Sequence, residues 1–198
     1  MKIRENQRKL NNKAFTLMEL IVVVAILIVM AGAAAVTVSM LDSSYVEDSE
    51  RAIKDYISLG RTKSMSVSAK DWYITISKEG SDYYVSLYKV VEKSAVIEGV
   101  TQQVSETSLV EQKKLGAKVS VAYSFYTSPN TYEMRNIIDT MKLEMHFDPA
   151  TGKITKVKYG DNENADAVAA GIGYIGLKRN DYDAKLKVFF NTGKCERE

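Results

Sequence analysis

The sequence predicts an α+β chain in which one long N-terminal helix, half of it membrane-spanning and half amphipathic, packs on an antiparallel β-sheet head. Three observations carry this. From Leu20 to Val36 about 17 residues run without a charge, the low end of a bilayer span. From Val46 onward, apolar and small residues recur on one helical stripe with no Pro to interrupt them. From Trp72 the period falls to two, the pattern of half-buried strands.

The chain opens with a basic leader, residues 1–14. Lys2, Arg4, Arg8, Lys9 and Lys13 face only Glu5. That excess keeps the leader on the cytoplasmic side and sends the C-terminal part across, giving a single pass with the head outside. The apolar run that follows contains Leu20, Ile21, Val22, Val23, Val24, Ile26, Leu27, Ile28, Val29 and Met30. The membrane-spanning part is expected over about residues 20–38.

Glu19 stands at the mouth of this run. A carboxylate a turn inside hydrocarbon costs roughly 2.5–3.5 kcal/mol on insertion scales, so it needs a partner. Cutting the chain between Ala14 and Phe15 would free an ammonium on Phe15 about one helical turn from Glu19. That ammonium can meet Glu19 of a neighbouring subunit, and the pair then acts as an assembly code. Two plainer readings share the same orientation: a secretory signal cleaved around Gly32-Ala33-Ala34-Ala35, which would start the mature chain near Val36, and an uncut signal anchor. The first of these leaves Glu19 an unexplained charge.

Val46, Ser49, Ala52, Ile53, Tyr56, Ile57 and Gly60 make the stripe of the second helical half. The whole helix is expected over residues 15–69, roughly 80 Å at 1.5 Å per residue, with its later half docked on the head. Gly32 and Gly60 mark candidate bends or close-packing points.

The head, residues 70–198, begins with a hairpin. Trp72, Ile74 and Ile76 alternate with Tyr73, Thr75 and Ser77; Lys78-Glu79-Gly80-Ser81 turns the chain; Tyr83, Val85, Leu87 and Lys89 then alternate with Tyr84, Ser86 and Tyr88. Further strands are expected over 117–125, 142–147, 154–159, 173–177 and 185–190, with Pro149-Ala150-Thr151-Gly152 as a turn. Residues 92–114 read either as an extra strand pair or as a long, mobile surface loop.

Ala14-Phe15-Thr16-Leu17-Met18-Glu19-Leu20 after a short basic leader resembles the prepilin processing motif, and the chain resembles a type IV pilin or pseudopilin. Ala14 stands where that family usually carries Gly. The resemblance implies a membrane prepilin peptidase that removes the leader and, as N-methyltransferase, methylates the new N-terminal Phe15. It further implies other pilin subunits and an inner-membrane pilus assembly platform as partners. The location implied is the cytoplasmic membrane and then a pilus or the cell surface. Trp72-Tyr73-Ile74-Thr75-Ile76, the stretch from Met145 to Gly152 and the ending Leu186 to Gly193 are similar in order to minor pseudopilins of type II secretion and to related minor pilins. Such relatives pack a helix on two small antiparallel sheets. The function implied is that of a structural subunit, a minor pilin or pseudopilin. A secretion- or DNA-uptake-machine pseudopilin and a secreted domain released by signal peptidase stand as alternatives.

Charge and side-chain inventory narrow the function classes. The chain has 27 Lys and Arg against 25 Asp and Glu, a net of +2. The leader supplies +4 of this, so the mature chain carries about −2. The pI near 8.4 belongs to the precursor and is no nucleic-acid footprint; Lys113, Lys114 and Lys118 make a weak case for phosphate contact. No catalytic set is visible, since His146 is the only histidine and has no nucleophile or cysteine ligand beside it. The run from Asp161 to Asp166 lacks the Gly and terminal Glu of a calcium loop and reads as solvated. No cofactor or metal site is expected. Cys195, the only cysteine, excludes an intrachain disulfide and is expected as an exposed thiol. Twelve tyrosines are the other unusual count, serving either sheet packing or subunit contact.

Overall fold

The structure, a computed structural model, describes residues 16–66, 71–97, 100–128 and 131–198. In chain order the elements are α1 (Leu17–Ser66), β1 (Trp72–Glu79), β2 (Asp82–Ile97), β3 (Val100–Lys114), β4 (Ser120–Ser128), β5 (Thr131–Asn136), β6 (Leu143–Phe147), β7 (Ile154–Tyr159), β8 (Asn162–Glu163), α2 (Ala165–Ala170), β9 (Ile172–Arg179), β10 (Tyr182–Phe189) and β11 (Lys194–Arg197). The chain divides into two units, Met1–Met40 and Leu41–Glu198. Helix α1 supplies its apolar residues to the first and its striped residues to the second. The layout is the α+β arrangement that the sequence predicts.

In the second unit the stripe of α1 is the buried one. Val46, Ser49, Ala52, Ile53, Tyr56 and Ile57 are at most 4% exposed. Ser49 fits this company because its hydroxyl donates to the Tyr45 carbonyl (2.7 Å) and accepts from the Gly116 amide (2.8 Å), which satisfies the polar group inside the core. Gly60 is a close-packing point. A Cβ there would lie 2.6 Å from Cε2 of Phe147.

Two antiparallel sheets share this core. One has the strand order β3-β2-β1-β6-β7-β8 and the other β11-β10-β9-β4-β5. Alternation places Trp72, Ile74 and Ile76 inward, and register stacks buried side chains in rows across strands. Leu87, Ile74, Met145 and Val157 form one such row, all fully buried. Val121, Tyr123, Ile175, Leu177, Leu186 and Val188 supply the inner face of the second sheet. Two-residue hairpin turns begin at Gly80 and Gly160, where φ is near +62° and only glycine sits without strain. Asn180, with φ 51°, fills the same role between β9 and β10. At the turn read from Pro149 to Gly152, the Asp148 Oδ1 accepts the amides of Ala150 (2.6 Å) and Thr151 (3.0 Å). These two donors hold its carboxyl below the usual range.

Residues 92–114 resolve to the strand pair. β2 and β3 pair from Tyr84↔Lys114 to Ile97↔Val100, with a bulge at Leu87/Tyr88. β1 reaches only to Lys89, so beyond it the two strands continue as a ribbon of their own. β5, β8, α2 and β11 lie outside the strands read from the sequence. β5 is polar and exposed along almost its whole length, and the other three have two to six residues, too short to show a period. Cys195 is a correction. Its thiol is free but half-buried against the core, and burial pushes its pKa up to about 12.

A polar clamp fixes α1 where the second unit begins. Asp42 is 6% exposed. Its Oδ1 accepts from Nε of Arg179 (2.6 Å) and its Oδ2 from Nδ2 of Asn180 (2.7 Å). The Arg179 guanidinium also donates to the Ala117 carbonyl and lies 4.2 Å from the Tyr45 ring centroid. Asn180 first and Arg179 second hold the Asp42 carboxyl below its usual range.

Candidate functional site

The first turn of α1 is built by reciprocal hydrogen bonds between Thr16 and Glu19. The Thr16 hydroxyl accepts the Glu19 amide (3.2 Å). Glu19 Oε2 accepts both the Thr16 amide (2.9 Å) and the Thr16 hydroxyl (3.0 Å). This is a capping box, which satisfies amides that a helix start leaves without intrahelical partners. Its sequence sign is Thr16-Leu17-Met18-Glu19 directly before an apolar run, a signal the charge argument alone passes over. The negative side chain also lies at the positive end of the helix dipole. Glu19 therefore has a partner inside its own chain, with its contacts gathered on one carboxylate oxygen.

The residues after Glu19 present hydrocarbon on every side. Leu20, Ile21, Val22, Val23, Val24, Ile26, Leu27, Ile28, Val29 and Met30 are all exposed, from 45% at Val22 to 72% at Val29. The most apolar stretch of α1 has no residue buried inside the protein. Among the described residues, α1 is the one helix long and apolar enough to cross a membrane. Burying a Val, Leu, Ile or Met side chain is worth about 1.5–3 kcal/mol, so ten such groups left in water oppose that state strongly. Lipid or other helices can cover them. The hydroxyl of Thr37 is already spent on the Ala33 carbonyl (3.0 Å), which lowers its cost in an apolar setting.

Ala14 and Phe15 lie outside the described residues. The remaining sequence candidates are placed in the head. His146 stacks on Tyr73 at 4.6 Å between ring centroids, and Tyr73 stacks on Tyr88 at 5.2 Å, one cross-strand ladder on the sheet face away from the core. Its Nε2 lies 3.5 Å from Oε2 of Glu144, whose Oε1 meets Lys142 Nζ at 2.7 Å. His146 first, then Lys142, holds the Glu144 carboxyl down to about 2. Among the described residues no group of three His, Cys, Asp or Glu side chains could hold a metal ion. Most of the 161–166 run is exposed, and Asn164 caps α2 by accepting the Ala167 amide (3.0 Å). Lys114 is paired with Asp82 at 2.6 Å.

Residues 9–35 match the family model described as the prokaryotic N-terminal methylation motif. The chain carries a prepilin-type signal. The matched span contains Ala14, Phe15, the Thr16–Glu19 capping box and the exposed apolar run. It supports a type IV pilin-like substrate of prepilin peptidase, a structural subunit that assembles with other pilin subunits. Comparison with the curated proteins and with the solved structures finds no match to this prepilin-like chain.

Proposed function

We propose that this chain is a minor pilin or pseudopilin, a structural subunit of a type IV pilus-like filament assembled through its N-terminal helix. Residues 1–14 are the leader, cut after Ala14 by a prepilin peptidase that methylates Phe15. Residues 20–38 hold the subunit in the cytoplasmic membrane, with the head outside, until an inner-membrane assembly platform transfers it to the filament. Packing between apolar helices then replaces packing against lipid, so the exposed run changes neighbours without entering water.

The observation that carries this reading is Glu19 at the first turn of a helix that is exposed hydrocarbon on all sides. The capping box engages one of its oxygens, and the carboxylate keeps capacity for a second donor. A Phe15 ammonium of a neighbouring subunit is a donor of the right charge. Without it, the growing helix bundle would enclose an unpaired carboxylate, and that cost selects for the correct register.

Two variants test the role of the charge. Glu19→Gln keeps a side chain suited to the capping box, because Gln serves at that position, but removes the charge. Glu19→Ala removes both. The expected outcome is processing to Phe15 in each variant, with incorporation into filaments reduced about tenfold or more in both. Normal incorporation of Glu19→Gln would reduce Glu19 to a helix cap and sink the assembly role.

A further inference from the structure

We infer that the open edges of the two sheets join between copies of this chain: β3 of one head pairs along β5 of the next, so that the six-stranded sheet of one subunit continues into the five-stranded sheet of its neighbour. The inference rests on the filament reading above and adds the surface by which heads meet.

Each sheet ends on two outer strands, and the four are not alike. β8 has two residues and β11 four, of which Lys194, Glu196 and Arg197 are charged. Short length and charge keep a sheet edge from accepting another strand. β3 has 15 residues and β5 six, and among the described residues each pairs on one side only, β3 with β2 and β5 with β4. Their outer edges present rows of backbone N–H and C=O groups in extended conformation, the feature to which an added strand binds. The charges on these edges are already paired. Over residues 104–110 the one charged side chain of β3 is Glu106, held by Lys93 of β2. In β5, Glu133 pairs with Arg135 at 3.0 Å.

The exposed apolar side chains of the head mark the same two edges. Val104, Leu109 and Val110 lie on β3; Met134 lies on β5, and Ile138 and Met141 form the bridge that follows it. All six are 38–49% exposed. The other large apolar side chains exposed in the second unit do not gather: Leu41 adjoins the apolar run of α1, and Met65 and Tyr182 lie on separate elements, α1 and β10. Single exposed apolar residues need no partner, whereas an apolar stretch along an uncovered strand edge is a surface for pairing with another chain. Both halves of that pairing are on this chain, which names a second copy as the occupant. Joining like with like, β3 to β3 or β5 to β5, needs a two-fold axis and closes a dimer. Subunits whose helices run side by side in a filament share one direction, so the contact open to them is β3 with β5. It is heterologous and, repeated, builds an open helical array.

The test is cross-linking of the full-length chain in native membranes and filaments with a short bismaleimide, in a Cys195→Ser background. One copy carries Val104→Cys and the other Met134→Cys. A control pair carries Ile26→Cys in one copy and Val29→Cys in the other, reporting helix adjacency. The expected result is a 104–134 dimer in excess of the 104–104 and 134–134 products. Val110→Lys in the first copy puts a guarding charge on the edge and should cut the yield about tenfold, with the Tm of the head unchanged because Val110 is exposed. A helix cross-link with no 104–134 dimer, or with the like-with-like products alone, overturns the edge contact while the filament reading stands. A 104–134 yield indifferent to Val110→Lys overturns it as well. Absence of both helix and head cross-links overturns the filament reading, and the edge contact falls with it.

Discussion

The two parts of α1 share one backbone conformation and differ in what their side chains meet. From Leu17 to Ala33 and from Val36 to Met40 the apolar side chains are exposed all round; from Val46 to Gly60 an apolar stripe is buried, and Glu47, Asp48, Arg51, Asp55 and Ser58 face solvent. The difference teaches where each part gets its stability. The second belongs to a core that closes on itself, with Ile53, Ile57, Ile74 and Leu87 at 0–1% exposure. The first has no core of its own and is complete only in lipid or among other helices.

The strongest way to break this comparison is to put the same charge in each part. Ile53→Asp buries an unpaired carboxylate and should cost the head about 4 kcal/mol or more, enough to abolish cooperative unfolding. Ile26→Asp should leave head unfolding unchanged, yet weaken membrane insertion by roughly 2.5–3.5 kcal/mol. Thermal unfolding in detergent and a membrane-fractionation assay read the two effects. A common loss of head stability in both variants would show that the parts are not energetically separate.

Asp42→Ala comes next. It removes the acceptor that Arg179 and Asn180 share, and a partly enclosed guanidinium is left with only the Ala117 carbonyl and the Tyr45 ring. A fall in Tm of several degrees is expected, and faster amide exchange should be confined to the start of the second unit and the β9–β10 turn. Exchange that rises equally along the whole of α1 would contradict the clamp.

Much of this was legible because it depended on periodicity. The 3.6-residue stripe of Val46, Ile53 and Ile57 reports burial directly, and the alternation of Trp72, Ile74 and Ile76 reports which face of β1 meets the core, although Tyr73 and Thr75 on the other face are buried as well. β7 begins and ends at the residues expected, Ile154 and Tyr159. What escaped the sequence was structure without a period. β5 has Glu133 and Arg135 exposed with Met134 between them, so neither face looked like a core face. The pairing of β2 with β3 rests on backbone hydrogen bonds between polar segments, which composition does not encode. At the N-terminus the charge of Glu19 was legible as a demand for a partner. Its first partner, Thr16, was hidden because a capping box is read from two residues three apart, not from hydropathy.

Acid offers a smaller and more specific effect. The folded-state pKa of Glu144 is depressed from 4.5 to about 2, so its contribution is present above about 4.5 and is lost as pH falls through about 2. After allowance for solvent screening it amounts to about 1–2 kcal/mol. Head stability should therefore decline between pH 4.5 and 2, with Asp42 and Asp148 adding to the same limb because their carboxyls are lowered too. Glu144→Gln should flatten part of that decline in a pH series of chemical unfolding curves. An unchanged slope would remove the His146–Glu144–Lys142 contacts from the stability account.

The smallest expected effect is Thr16→Ala. Loss of a helix cap costs about 1 kcal/mol, so amide exchange at Glu19 should accelerate about fivefold, with no change in the Tm of the head. Incorporation into filaments should suffer less than in Glu19→Ala. Equal loss in the two would mean that the cap, not the charge, governs assembly.

The most direct test of the central claim is the N-terminal residue and mass of the mature protein, taken from native membranes by intact and peptide mass spectrometry. A start at Phe15 carrying one added methyl group is the predicted result and places the chain on the prepilin pathway. A start near Val36, or an uncut Met1, would contradict it and take away the role assigned to Glu19.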